Sequence, residues 1–224
     1  MNTAKIEKCI ELLNAGKITE LKDFLQYERQ ASILNENGKK PTLLTAVKKI
    51  IDDKDLKEYR PTLATIQHTM DGKPFICDGY ILIRWKDERP ELNAFNQLEA
   101  SKSINADNIL DRFEGNYYPL SPDDETIINN LDKFIKLYGK KDKIKNPFCP
   151  VVVCEITFDS YLLKRLIDVI GAGKITEVKT QKTGAGIKVE TDETTSLIMA
   201  VHNPHRITEA EQNTKNFLEQ IKNN

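Results

Sequence analysis

The chain has 224 residues, of which 39% are hydrophobic and 30% charged, and a formal net charge of −1. This composition excludes low-complexity and collagen-like chains, and the near-zero charge excludes a global basic excess that would draw the whole molecule onto nucleic acid; only a local basic face is left open. No apolar run approaches the roughly 20 residues that cross a bilayer, and residues 1–7 lack the basic region and apolar core of a signal peptide, so a cytoplasmic protein with no membrane contact is expected.

The four cysteines, Cys9, Cys77, Cys149 and Cys154, form no CxxC pair and are expected to be reduced thiols. Residues 4–34 read as two short helices. Ile6, Ile10 and Leu13 recur at helical spacing before Asn14-Ala15-Gly16, and Thr19 caps a second stripe of Leu21, Phe24 and Leu25. A polar linker over 35–40 ends at Pro41, which opens an amphipathic helix. Leu43, Leu44, Val47, Ile50 and Ile51 share one face of it, while Thr45, Lys48, Lys49 and Asp52 share the other. Residues 52–55 are solvated and close that helix or begin an irregular turn. The β-branched run 62–69 predicts a strand, Asp71-Gly72 a hairpin turn, 75–77 a short strand, Asp78-Gly79 a second turn, and 80–85 the most strand-like segment of the chain.

Leu92, Ala94, Asn96 and Leu98 alternate as a weak strand, and 101–108 is polar. Ser121, Pro122 and the acids at 123–125 start a helix whose apolar face runs from Ile127 to Tyr138, stopped by Gly139 and followed by a basic loop at 140–145. Residues 151–157 read as one strand. Phe158-Asp159-Ser160 offers a cap for a helix over 161–170 with Leu163, Leu166, Ile167 and Ile170 on its buried face, ended by Gly171-Ala172-Gly173. Three strands follow at 175–180, 186–191 and 196–201. Thr208, with Glu211 in a capping-box arrangement, opens a last, mostly polar helix; its thin stripe of Phe217, Leu218 and Ile221 predicts light packing or fraying.

Val47-Lys48-Lys49-Ile50-Ile51-Asp52 and Leu163-Lys164-Arg165-Leu166-Ile167-Asp168 match type for type, about half a chain apart, and each is followed by strand-like runs. This pattern predicts an internal duplication. If the two repeats pack side by side, both helices lie on the same side of a continuous sheet, and Lys48, Lys49, Lys164 and Arg165 present four basic side chains suited to phosphate without base reading, weakened by Asp52 and Asp168. Catalytic signatures are lacking: there is no P-loop, GxGxxG or GxSxG, and the histidines are His68, His202 and His205, of which the last two flank Pro204 in a poor metal-clip geometry. No metal, no cofactor and no enzymatic activity are expected.

Arg60-Pro61-Thr62-Leu63-Ala64-Thr65-Ile66, Asp71-Gly72-Lys73 and Cys77-Asp78-Gly79-Tyr80-Ile81-Leu82 together resemble the bacterial sliding clamp, the beta subunit of the replicative DNA polymerase. Phe158-Asp159-Ser160-Tyr161-Leu162-Leu163 and Leu197-Ile198-Met199-Ala200-Val201 resemble the family's terminal half-domain, with Ala200 where the family has proline. The resemblance covers 42–86 and 150–202. It implies an α+β, clamp-like domain of two helix-plus-antiparallel-sheet repeats, with extra helices at the N-terminus, middle and C-terminus. The expected division is an N-terminal helical arm (1–37), a first repeat (38–100), a helical insertion with a basic linker (101–146), a second repeat (147–205) and a C-terminal helix (206–224). Bacterial clamps carry several such domains per chain, so a ring here requires copies of the chain to associate.

The function implied is that of a non-catalytic, sliding-clamp-like protein acting near DNA, a replication accessory factor of bacterial or mobile-element origin. Carried over by position, contact with the DNA backbone falls to Lys48, Lys49, Lys164 and Arg165. The expected partners are double-stranded DNA, replication proteins and further copies of the chain. The alternative is a protein-interaction module that keeps the fold without encircling DNA, with the N-terminal helix pair and Tyr117-Tyr118-Pro119-Leu120 as its surfaces.

Overall fold

The computed structural model describes residues 3–18, 21, 25, 42–113, 117, 119–139, 148–180 and 186–223. The expected second N-terminal helix, Pro41, Tyr118 and the basic loop at 140–145 fall wholly or mostly outside them. Among the described residues the fold is mixed α and β, built on a six-stranded antiparallel sheet in the order β1-β2-β3-β8-β7-β6. Its strands are β1 (Gln67–His68), β2 (Pro74–Cys77), β3 (Ile81–Trp85), β6 (Ile175–Thr180), β7 (Gly186–Thr191) and β8 (Thr194–Met199). A separate hairpin joins β4 (Pro150–Val153) to β5 (Ile156–Asp159).

The strand order has a pseudo-two-fold. Each matched helix, α2 (Leu43–Ile51) and α7 (Ser160–Ile170), leads into three antiparallel strands, and the third strands pair centrally, from Ile81↔Ile198 to Trp85↔Thr194. The two helices pack on each other. Their apolar faces, Val47, Ile50 and Ile51 on α2 and Leu163, Leu166, Ile167 and Ile170 on α7, join one core with Ile76, Ile81, Ile83, Val178, Ile187, Val189 and Ile198. Strand alternation turns those residues to one side and Phe75, Cys77, Leu82 and Leu197 to the other, where a smaller core gathers around α4 (Ala106–Asp111). The expectation of one continuous sheet with both repeat helices on the same side is thus met.

Several boundaries differ from the sequence reading. Residues 62–69 are mainly a 3-10 turn, Pro61–Leu63, followed by the two-residue β1. The weak strand at 92–98 is a 3-10 turn, Pro90–Ala94, ending in a single parallel bridge from Gln97 to Ile66. The run 151–157 is a hairpin, because Cys154 and Glu155 adopt left-handed φ of 52° and 61° and reverse the chain. After α2, Asp53 caps a further short helix, α3 (Lys54–Tyr59). The helix over 122–138 breaks at Asn130 into α5 (Pro122–Asn129) and α6 (Leu131–Tyr138).

The last helix, α8 (Pro204–Lys222), starts four residues before Thr208, with Asn203 as its cap and Pro204 in the first turn. It does not pack lightly. Ala210 and Phe217 are fully buried, Thr214 nearly so, and the Thr214 hydroxyl accepts the Val152 amide at 3.0 Å. Phe217 meets Phe134 edge-on at 5.2 Å between ring centres. The N-terminal α1 (Thr3–Asn14) leaves Ile6, Ile10 and Leu13 exposed.

Candidate functional site

The four basic residues singled out by the repeat lie together on the helix side of the sheet, each beside a carboxylate. Lys48 reaches Asp52 at 3.9 Å and, one repeat later, Lys164 bonds Asp168: the same i,i+4 pair at matched positions. Lys164 also lies 3.6 Å from Asp132. The remaining pairs cross between helices, Lys49 to Asp168 at 3.7 Å and Arg165 to Asp53 at 3.3 Å. Numbers rise along one helix as they fall along the other, so α2 and α7 run antiparallel here. Lys57 adds a 2.6 Å bond to Asp52. The network therefore sets five cations against four carboxylates. The Lys48 and Lys49 side chains stay 60% and 54% exposed, whereas Lys164 and Arg165 are half-buried against their partners. Exposed pairs of this kind contribute about 0–1 kcal/mol each, so their main effect is on surface potential rather than on stability.

Beside this network, at the end of the sheet where the repeats meet, lies a groove of about 610 Å³. The first repeat supplies Tyr59 and Arg60 from the end of α3 and Asp78 and Tyr80 from the β2–β3 turn; the second supplies Phe148, Leu162, Arg165 and the run Met199-Ala200-Val201. The local chemistry explains the placement. Asp78 accepts the Tyr80 and Ile81 amides at 2.8 and 2.7 Å, and Gly79 at φ 95° takes a left-handed conformation that side chains resist. The tight turn throws Tyr80 outward, 60% exposed, beside Tyr59 at 73%. A Cβ on Gly79 would stand 2.6 Å from an Arg60 guanidinium nitrogen, so the missing side chain is the seat for that cation. Arg60 makes no ion pair with the described residues.

Three of the four carboxylates of the groove, Asp53, Asp78 and Asp159, are already occupied; among the described residues Asp55 is not. Asp53 caps α3 and holds Arg165. Asp159 caps α7 through the Tyr161 amide at 3.1 Å and also accepts the Cys149 amide. Burial raises the carboxyl pKa values of Asp78 and Asp159, opposed by backbone amides and by Arg165. Those three acids are wired into caps and turns, which leaves Arg60, Asp55 and the two exposed tyrosines as the groups able to meet a ligand.

Tyr117, expected at a docking surface, donates its hydroxyl to Glu190 at 3.0 Å with the Lys179 ammonium over its ring, on the sheet face opposite the helices. Cys9, Cys77, Cys149 and Cys154 form no disulfide, and burial pushes the Cys77 thiol up to about 11. No group of three or more metal-ligating side chains converges among the described residues, and no helix there is long and apolar enough to cross a membrane.

The sequence singled out the four basic residues and the Asp78-Gly79 turn. It missed the groove, because Tyr59, Tyr80, Phe148 and Leu162 stand far apart along the chain; the exposed aromatic after Asp78-Gly79 was the one local sign. No family model, curated protein or solved structure matches the chain.

Proposed function

We propose that the chain is a non-catalytic, clamp-like interaction module that holds a short segment of a partner protein in the groove between its two repeats. The observation that carries this reading is the groove itself. It lies at the seam, exposes two tyrosines and an ion-pair-free Arg60, and has walls fixed by caps and turns. Aromatic and arginine side chains at a preformed concave site are the residue types that dominate peptide affinity. The clamp-like part of the proposal rests on the duplicated helix-plus-three-strand unit joined through β3 and β8. The complementary ligand has adjacent apolar side chains for the tyrosine-lined wall and a carboxylate for Arg60.

A displayed library of random short peptides, selected against the full chain, tests this. Enriched peptides carrying an acidic residue beside apolar ones, and weakened about tenfold or more by Arg60→Glu or Tyr80→Ala, are expected. Absence of enrichment, or equal binding to both variants, rejects the groove as the working site.

A second reading is that the protein touches the DNA backbone through Lys48 and Lys49. It is favoured by their exposure on one helix surface. The adjoining carboxylates oppose it, because four of them face the five cations and leave little net positive charge to displace counterions from the phosphates.

A further inference from the structure

We propose that β6 is a self-recognition edge, pairing antiparallel with β6 of a second copy of this chain about a two-fold axis at Val178. The two ends of the sheet are finished differently. The outer side of the chain at 66–68 is covered by the strip at 96–103: the Ile66 amide bonds Asn96 at 2.9 Å, the Leu98 amide bonds Ile66 at 2.7 Å, and in β1 the His68 amide bonds the Ser103 hydroxyl at 3.2 Å. No described segment pairs with the outer side of β6. An open edge presents a row of backbone donors and acceptors that another strand can use.

The side chains of β6 specify which strand. Val178 points into the core, fully buried, while Glu177 and Lys179 flank it on the opposite face. Glu177 makes no ion pair with the described residues, and Lys179 is held only loosely over the Tyr117 ring, 4.3 Å from its centre. Charged residues on an edge usually repel foreign strands. In an antiparallel pair centred on Val178, however, Glu177 of each copy falls opposite Lys179 of the other. The charges that deter an arbitrary strand match the same strand reversed. Directly opposed unlike charges are favourable and like charges unfavourable. The register shift between Ile175 and Glu177 ends the regular ladder on one side, so the pairing is short and the association concentration-dependent rather than permanent. This inference uses only the edge and does not depend on the groove.

Sedimentation velocity over a wide concentration range, with the full chain, tests it. The unmodified protein is expected to form a dimer that weakens with salt. Glu177→Lys alone and Lys179→Glu alone each place like charges opposite one another and are expected to weaken the dimer by about tenfold or more. An equimolar mixture of the two variants restores both unlike pairs and is expected to regain the original affinity, which also shows that both variants fold. A monomer at all concentrations, single variants that dimerise as well as the unmodified chain, or a mixture that fails to recover would each overturn the proposal.

Discussion

Phe217→Ala is expected to lower the free energy of unfolding by about 3–5 kcal/mol, read from urea denaturation. The ring is fully buried, although its helix is mostly polar. It lies edge-on against Phe134, itself fully buried, and 6.5 Å from the Tyr138 ring. Phe134 and Tyr138 are in turn 4.9 Å apart. Removing one ring from this group of three leaves a hole that neighbouring elements cannot easily close. Above it, α8 is tied to β4 by the Thr214–Val152 bond; below it, α6 is packed on α7. A frayed C-terminal helix would lose almost nothing on the same substitution, so a change below about 0.5 kcal/mol would show that α8 does not close the core.

Leu166→Ala is expected to cost about 2–5 kcal/mol and to do so across the whole sheet at once. Leu166 is the counterpart of Ile50 in the matched helices, and both are buried in the same core. The molecule carries a convenient reporter. Its single tryptophan, Trp85, sits on β3 in the first repeat and is buried, whereas Leu166 belongs to the second. Because β3 pairs with β8 over five residue pairs, loss of packing in one repeat is felt in the other. Trp85 fluorescence and backbone circular dichroism are therefore expected to shift together to lower denaturant, in one transition. A fluorescence transition left in place while the dichroism splits in two would mean that the repeats fold separately.

The parts of this fold legible in the sequence are those with strong periodicity. The apolar stripes of α2 and α7, and the β-branched runs of β3, β6 and β7, announce themselves. The hidden parts have specific causes. The β4–β5 turn is made by Cys154 and Glu155, which carry none of the usual turn chemistry. The firm seating of α8 depends on Ala210, Thr214 and Phe217 at helical spacing, two of them too small or too polar to mark a core face. Asn203-Pro204 lies ahead of the helix start expected at Thr208, yet Asn203 is the cap and Pro204 the first-turn proline.

The site was half legible for a similar reason. The basic residues and the opposing Asp52 and Asp168 stand within each helix, where spacing reveals them. The crossing pairs, Lys49–Asp168 and Arg165–Asp53, exist only once the repeats pack. Those pairs shift the functional reading from a DNA-facing surface toward a protein-binding seam.

The most direct measurement is fluorescence anisotropy of a labelled DNA duplex titrated with the full chain at about 50 mM and about 200 mM salt, alongside the Lys48→Glu/Lys49→Glu double variant. If the helix faces are committed to their own carboxylates, both proteins bind weakly and alike, with little dependence on salt. Saturable binding by the unmodified chain that falls steeply with salt and disappears in the variant would contradict the account and restore DNA as the ligand of these helices.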